Sequence, residues 1–246
     1  MITLPTSKVP ATSTNPKFLI LYGRPKCGKT SALAQLDNNL IIDLEGGSTF
    51  IDAMAVQARS VNELGEIAQA IRAKNTEVGH NFYRHITIDN ATRLEEICLS
   101  YAAILYKKTP VGKKWEGTDV KTLPNGAGYL YIRQAVRKVI DMFRELCDEF
   151  ILVGHVKDIQ IEQNGEELSQ MALDLVGKLG TIICGESDAV GLVYRKGNET
   201  HVSFFGGDGT TKEARAPHLR GKDIIIATGN DDGTITTYWD KVYKND

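Results

Sequence analysis

The sequence predicts an α/β fold: a mostly parallel, twisted sheet with helices on both faces and an antiparallel hairpin added toward the C-terminal end. Three observations carry that prediction. Phe18–Tyr22, Leu40–Leu44, His85–Asp89 and Phe150–Val156 are short, largely apolar runs, the pattern of strands covered on two faces rather than one. The stretches between them have helical periodicity, and parallel strands need helices to connect them. The 246 residues, 42% hydrophobic and 24% charged, suffice for one large domain or two small ones. They exclude a disordered chain and a miniprotein dependent on disulfides or metal.

Taken in order, residues 1–16 hold Pro5, Pro10 and Pro16 and read as an extended lead-in, because proline opposes regular structure. The domain proper spans 17–228. Its helices are expected over Lys29–Leu36, Val61–Lys74, Arg93–Tyr106 and Tyr129–Asp148; in the last, Ile132, Val136, Val139, Ile140, Phe143 and Leu146 form one apolar stripe. The runs Ala189–Tyr194 and His201–Phe205 flank Lys196-Gly197-Asn198-Glu199, a hairpin signal, and Ile224–Ala227 is a further strand. Two stretches break the rhythm. Residues 107–128 set five lysines against Glu116 and Asp119, a net charge of +3, and read as a mobile loop. Asp158–Gln170 reads as an irregular excursion with a small turn at Asn164-Gly165. Residues 229–246 form a C-terminal extension with a turn at Asp231-Asp232-Gly233, after which Thr234–Tyr243 fits either strand or helix.

The most specific chemistry lies after the first strand. Gly23-Arg24-Pro25-Lys26-Cys27-Gly28-Lys29-Thr30 matches G-x-x-x-x-G-K-[ST], with a strand before it and a helix opening at its end. The glycines let consecutive N–H groups turn inward at a helix N-terminus, which makes a nest for phosphates. In that reading Gly23 through Ser31 cradle the phosphates of ATP, Lys29 reaches the β- and γ-phosphates, and the Thr30 hydroxyl is a ligand for Mg²⁺. The alternative is a glycine-rich turn that binds nothing.

Two carboxylates belong with this loop. Asp89 ends the strand from His85 and suits the second metal position; it also suits the N-cap of the helix starting near Ala91. Glu45 follows Leu40–Leu44 and precedes Gly46-Gly47, so it emerges at the carboxyl edge of the sheet, where ligands of such sheets bind. There it can deprotonate an attacking water; the alternative is an ordinary loop carboxylate. Asp43, two residues earlier, lies deeper on the same strand and is the less favoured base.

With these parts in order, the chain resembles the RecA-type core ATPases, and most of all the short phage-encoded nucleotide-binding or single-strand annealing ATPases, over roughly 17–228. The residues behind the resemblance are the phosphate loop, Ile41-Ile42-Asp43-Leu44-Glu45, Ile88-Asp89, and the run from Gln134-Ala135-Val136-Arg137-Lys138 to Phe150-Ile151-Leu152-Val153-Gly154-His155-Val156-Lys157. The resemblance implies that His155 is a γ-phosphate sensor, where RecA has a glutamine; a buried histidine satisfied by backbone is the alternative. It further implies that 107–128 and 158–170 line a path for single-stranded DNA. Lys107, Lys108, Lys113, Lys114, Lys121 and Lys157 would meet phosphates and Trp115 would stack on bases, against the alternative of solvated loops. Lys212 and Arg215, just after Thr210-Thr211, would reach into a neighbouring copy's ATP in a ring or filament, against the alternative of a surface turn with scattered charges. A single-strand DNA-binding protein is a further expected partner.

Composition bounds these expectations. Twenty-nine basic residues against 31 acidic ones give a net charge of −2, so any nucleic-acid binding is local rather than a property of the whole surface. No apolar run approaches the ~18 residues of a membrane helix, and no secretory signal opens the chain. The expected location is the cytoplasm, of the host if the protein is phage-encoded. Cys27, Cys98, Cys147 and Cys184 lack C-x-x-C spacing and read as reduced thiols, and His80 and His85 lack partners at zinc-ligand spacing. A small-molecule kinase and a non-hydrolysing ATP-gated scaffold or packaging subunit remain as other functional classes.

Overall fold

The computed structural model describes residues 4–163, 166–206 and 211–244. The elements run β1 (Phe18–Gly23), α1 (Lys29–Ala34), β2 (Asn39–Asp43), β3 (Ala55–Gln57), α2 (Val61–Val78), β4 (His85–Asp89), α3 (Ala91–Lys107), α4 (Gly128–Arg144), β5 (Glu149–Gly154), β6 (Val156–Gln163), β7 (Glu166–Leu173), α5 (Leu179–Glu186), β8 (Ala189–Lys196), β9 (Glu199–Ser203), β10 (Glu213–Ala214), β11 (Asp223–Gly229) and β12 (Ile235–Thr237). The main sheet has the order β12-β11-β9-β8-β1-β5-β4-β2-β3, with β10 also on β8. Strands β8, β1, β5, β4, β2 and β3 are mutually parallel, and β9, β11 and β12 continue the sheet antiparallel. The predicted fold class is the observed one, that of a P-loop NTPase core.

Alternation along the central strands divides the core in two. Phe18, Ile20, Tyr22, Ile42, Ile88, Phe150 and Leu152 pack against α2, α3, α4 and α5. Leu19, Leu21, Ile41, Ile151 and Val153 face the other way, onto α1 and onto Ala216, Leu219, Trp239 and Val242 from the C-terminal part. Among the described residues, the second face therefore has one six-residue helix and is otherwise covered by irregular chain.

Several expectations change. The stretch 158–170 is not irregular: β6 and β7 pair in register from Val156↔Leu173 to Gln163↔Glu166 as a separate two-stranded ribbon. Its Asn164-Gly165 turn lies outside the described residues. The stretch 107–128 is not a bare loop but a run of short 3-10 turns at 112–114, 120–122 and 124–126, pinned by buried Val120 and Leu123. The helix expected to reach Asp148 stops at Arg144. The extension expected over 229–246 is, through its described residues 229–244, no appendage: β11 crosses 228 and the chain after it packs on the core through Trp239, Val242 and Tyr243. The undecided segment is a short strand followed by a 3-10 turn at 239–241.

His85, at the start of β4, shows what burial does to a titratable group. Its Nδ1 lies 3.0 Å from the Asp37 carbonyl, and burial pushes its pKa down to about 4 from 6.5, against the opposing pull of that carbonyl. Below 6.5 the unfolded chain takes up a proton that the fold refuses, so stability falls as pH drops through the window from 6.5 to about 4. The loss should approach about 3 kcal/mol at the acid end, at roughly 1.36 kcal/mol per pKa unit. Urea unfolding at pH 7.5 and 4.5 checks it: His85→Asn should lose much less stability over that interval than the wild type, and equal losses would assign the acid sensitivity elsewhere.

Candidate functional site

Four neighbouring parallel strands, β1, β5, β4 and β2, end at the same edge of the sheet. Their ends deliver Gly23, His155, Asp89 and Glu45. A cleft of about 540 Å³ opens there, lined among others by Lys29, Thr30, Glu45, Asp89, His155 and Arg195.

The glycines of the phosphate loop are forced by local geometry. A Cβ on Gly23 would stand 2.3 Å from the Val193 carbonyl oxygen of β8, and Gly28 has φ 95° with the Thr200 hydroxyl 2.8 Å from where a Cβ would be. Lys26 also adopts positive φ, 63°, so the backbone turns tightly into α1. Lys29 is buried, and its ammonium donates to the carbonyls of Gly23 and Arg24, each at 2.9 Å, with Cys27 Sγ at 3.6 Å. Pro25 and Ser31 line the cleft as well. Arg24 instead points to Asp158 at the ribbon root, 3.7 Å away and exposed.

Thr30 and Asp89 meet as the motif requires: the Thr30 hydroxyl donates to Asp89 Oδ2 at 2.6 Å. Burial pushes the Asp89 carboxyl above its ordinary range, opposed by Thr30 and by the charge of Lys29. The hydroxyl and carboxylate fit a hard divalent cation with oxygen ligands and several retained waters. The helix cap is a separate residue: Asn90, not Asp89, caps α3, its Oδ1 accepting from Arg93 N at 3.0 Å.

Asp43 and Glu45 divide their tasks. Burial disfavours ionisation of Asp43, but hydrogen bonds from the Ser48 hydroxyl and from the N–H groups of Ser48, Gly46 and Glu45 outweigh it and hold its pKa below the ordinary value. That carboxylate is spent on shaping the loop. Glu45, with its side chain 48% exposed, keeps its carboxylate in the cleft, Oε1 at 3.4 Å from His155 Nε2.

His155 is not satisfied by backbone. Because Asn90 Oδ1 faces Arg93 N, its Nδ2 is the donor to His155 Nε2 at 2.9 Å, which assigns the ring proton to Nδ1. The His155 carbonyl accepts from Asp174 N, so the ribbon root is tied to the same residue. Asn90 and Arg195 join the site without a motif of their own to mark them. Arg195 becomes legible only once β8 is placed beside β1, Gly23 opposite Val193.

The remaining expected residues are not gathered here. Lys107 and Lys108 are exposed at the far end of α3, about 25 Å along a 17-residue helix from its cap. Lys113 and Lys114 are exposed on the following turn, whereas Lys121 returns to the neighbourhood of Glu95 near the start of α3. Trp115 is half-buried, edge-on to Tyr106 with centroids 5.2 Å apart and Lys107 Nζ 5.5 Å over its ring. Its ring is engaged in packing, not presented for stacking. Lys157 is likewise engaged, donating to the Leu175 carbonyl and lying 3.8 Å from Asp174. Neither Lys212 nor Arg215 lines the cleft. Arg215 is bound within its own chain, to Asp188 Oδ1 at 3.4 Å and the Gly185 carbonyl at 3.0 Å, at the amino edge of the sheet.

Compared with known proteins, residues 15–233 match the model of a family described as AAA domain. A search of curated proteins finds no match. Among the described residues no helix is long and apolar enough to cross a membrane.

Proposed function

The chain belongs to the AAA domain family, nucleotide-binding ATPases built on a P-loop, and on that premise we propose that it is a Mg²⁺-dependent ATPase of the RecA-like kind acting with single-stranded DNA. Annealing, recombination or repair in phage DNA metabolism is the proposed setting, with the chain working as a ring or filament and alongside a single-strand DNA-binding protein. The observation that carries hydrolysis is the unspent carboxylate of Glu45 in the same cleft as Lys29 and the Thr30–Asp89 pair. Backbone N–H groups of the loop and Lys29 hold the phosphates; Thr30 and Asp89 hold the cation. When bound, Mg²⁺ neutralises charge on the β- and γ-phosphates. Glu45 takes the proton of the attacking water. Asn90 and His155 lie between that carboxylate and the ribbon, a route by which the state of the phosphates reaches β6 and β7.

The DNA half rests on the five lysines of 107–128 and the exposure of all of them. ATPase rate measured with and without single-stranded DNA, across protein concentrations, tests the reading. Stimulation that grows with concentration is expected. Changing Lys113 and Lys114 to Ala should weaken DNA binding several-fold and lower the salt slope by about 1.4, near 0.7 for each single-strand phosphate no longer neutralised. Unchanged affinity and slope would take this loop off the DNA path. A second reading, transfer of the γ-phosphoryl group to a small-molecule hydroxyl, has one observation in its favour. Beyond Glu45 lies a further cleft of about 410 Å³, lined by Gln57, Arg59 and Arg93. Release of all transferred phosphate as inorganic phosphate would reject it.

A further inference from the structure

The helix that opens from the phosphate loop is only six residues long, too short to hold itself together in water. Among the described residues, no other α-helix supports it on its face of the sheet. What does is a strap formed by the C-terminal residues: Trp239, Val242 and Tyr243 share one buried cluster with Ala32, Leu33 and Leu36.

The central interaction is a hydrogen bond. Trp239 Nε1 donates to the Ala32 carbonyl at 2.8 Å, a buried bond. The last carbonyls of a helix lack the usual i→i+4 donors; here Ala32 O and Leu33 O accept from the tightened turn, Gln35 N at 3.2 Å and Leu36 N at 3.1 Å, and each takes a second donor from outside, Trp239 Nε1 on Ala32 O and Asn39 Nδ2 on Leu33 O at 2.9 Å. Ala32's own N–H donates to the Gly28 carbonyl at 3.0 Å, so the residue gripped by Trp239 closes its turn on the positive-φ glycine of the loop. The strap is fixed at several points. Tyr238 N donates to Ile226 O at 2.9 Å, His218 Nε2 lies 2.8 Å from Val242 O, and Lys244 and Asn15 exchange two hydrogen bonds at 2.7 and 2.8 Å. The Tyr243 ring packs on His85, centroids 4.7 Å apart, and His85 in turn meets Asp37 just beyond α1. Trp239 stands outside the residues matched to the family, 15–233.

We propose that Trp239 is a positioning residue for nucleotide binding, clamping α1 so that the phosphate loop is held in its binding shape before ATP arrives. This rests on the ATP reading above. Binding to a loop that is competent only part of the time weakens apparent affinity by the competent fraction. Loss of the clamp therefore shows in affinity, while the chemistry at Glu45 is untouched once nucleotide is bound.

Trp239→Phe keeps most of the ring packing and removes the N–H donor. Calorimetry with ADP and with a non-hydrolysable ATP analogue should give a Kd about fivefold higher than wild type, the size of one buried hydrogen bond. KM for ATP should rise in step, with kcat at saturation within about twofold on the same grounds. A second measurement does not depend on that variant folding. The chain has two tryptophans, so Trp115→Phe leaves Trp239 as the lone indole; a clamp closed before nucleotide arrives keeps that indole shielded from acrylamide quenching without ADP and to the same extent with it. Wild-type affinity in Trp239→Phe, or a Trp239 indole that is open to acrylamide until ADP is added, would overturn the clamp and leave the ATPase reading standing. If the wild-type protein itself binds no nucleotide in the same calorimeter, the ATPase reading falls and takes the clamp with it.

Discussion

Lys29→Ala should abolish ATP hydrolysis and weaken nucleotide binding by about 10- to 100-fold, the scale expected when a charge-assisted hydrogen bond is removed from a site that is already desolvated. The side chain has two duties. Its ammonium braces the loop through the carbonyls of Gly23 and Arg24, and in a loop of this motif it is the charge that reaches the β- and γ-phosphates. Alanine removes both, and because Lys29 is 6% exposed, water does not replace them well. Arginine is a poor substitute, since a planar fork does not fit a pocket shaped for a point charge, so Lys29→Arg should be nearly as inactive. Phosphate release and ADP calorimetry check both variants, with circular dichroism to establish that each is folded. Activity within tenfold of wild type in Lys29→Ala would remove the phosphate loop from the chemistry.

How far the sequence carries depends on whether a signal is local. The phosphate loop, its strand and helix, Asp89 at the end of β4 and the β8–β9 hairpin are written in contiguous residues and are legible there. The ribbon is not. Val156–Gln163 and Glu166–Leu173 mix polar and apolar residues without sustained alternation, so periodicity gives no strand, and only pairing with each other makes them one. Trp115 resembles a stacking platform because neighbouring lysines are visible in sequence while Tyr106, its packing partner, lies a helix end away. Asp89 is a plausible cap on propensity alone, but the residue after it has the extended backbone that a cap needs and takes that place. Arg195 and Trp239 reach the loop through strand order and a 207-residue separation, which no local pattern encodes.

Glu45→Gln should bind ATP within about threefold of wild type and lose turnover by roughly 10²–10⁴, the range of a general base. Asp43, Glu45 and Asp89 share this edge of the sheet, and the choice among them follows from what each is already doing. Asp89 is buried and accepts from Thr30. Asp43 accepts four hydrogen bonds from the loop that follows it, so Asp43→Asn should unravel residues 44–48 and lower affinity and turnover together. Of the three, Glu45 is the one with no hydrogen-bond donor among the described residues committed to its carboxylate, since the Nε2 of His155, 3.4 Å away, is already the acceptor for Asn90. A carboxylate next to an unprotonated ring nitrogen is free to turn toward a water held at the γ-phosphate. The amide of glutamine keeps the shape and hydrogen-bonding reach but cannot take the proton, which is why the loss falls on kcat and spares binding. Single-turnover hydrolysis measured beside nucleotide affinity separates the two. Turnover within fivefold of wild type would pass the role of base from Glu45 to another group.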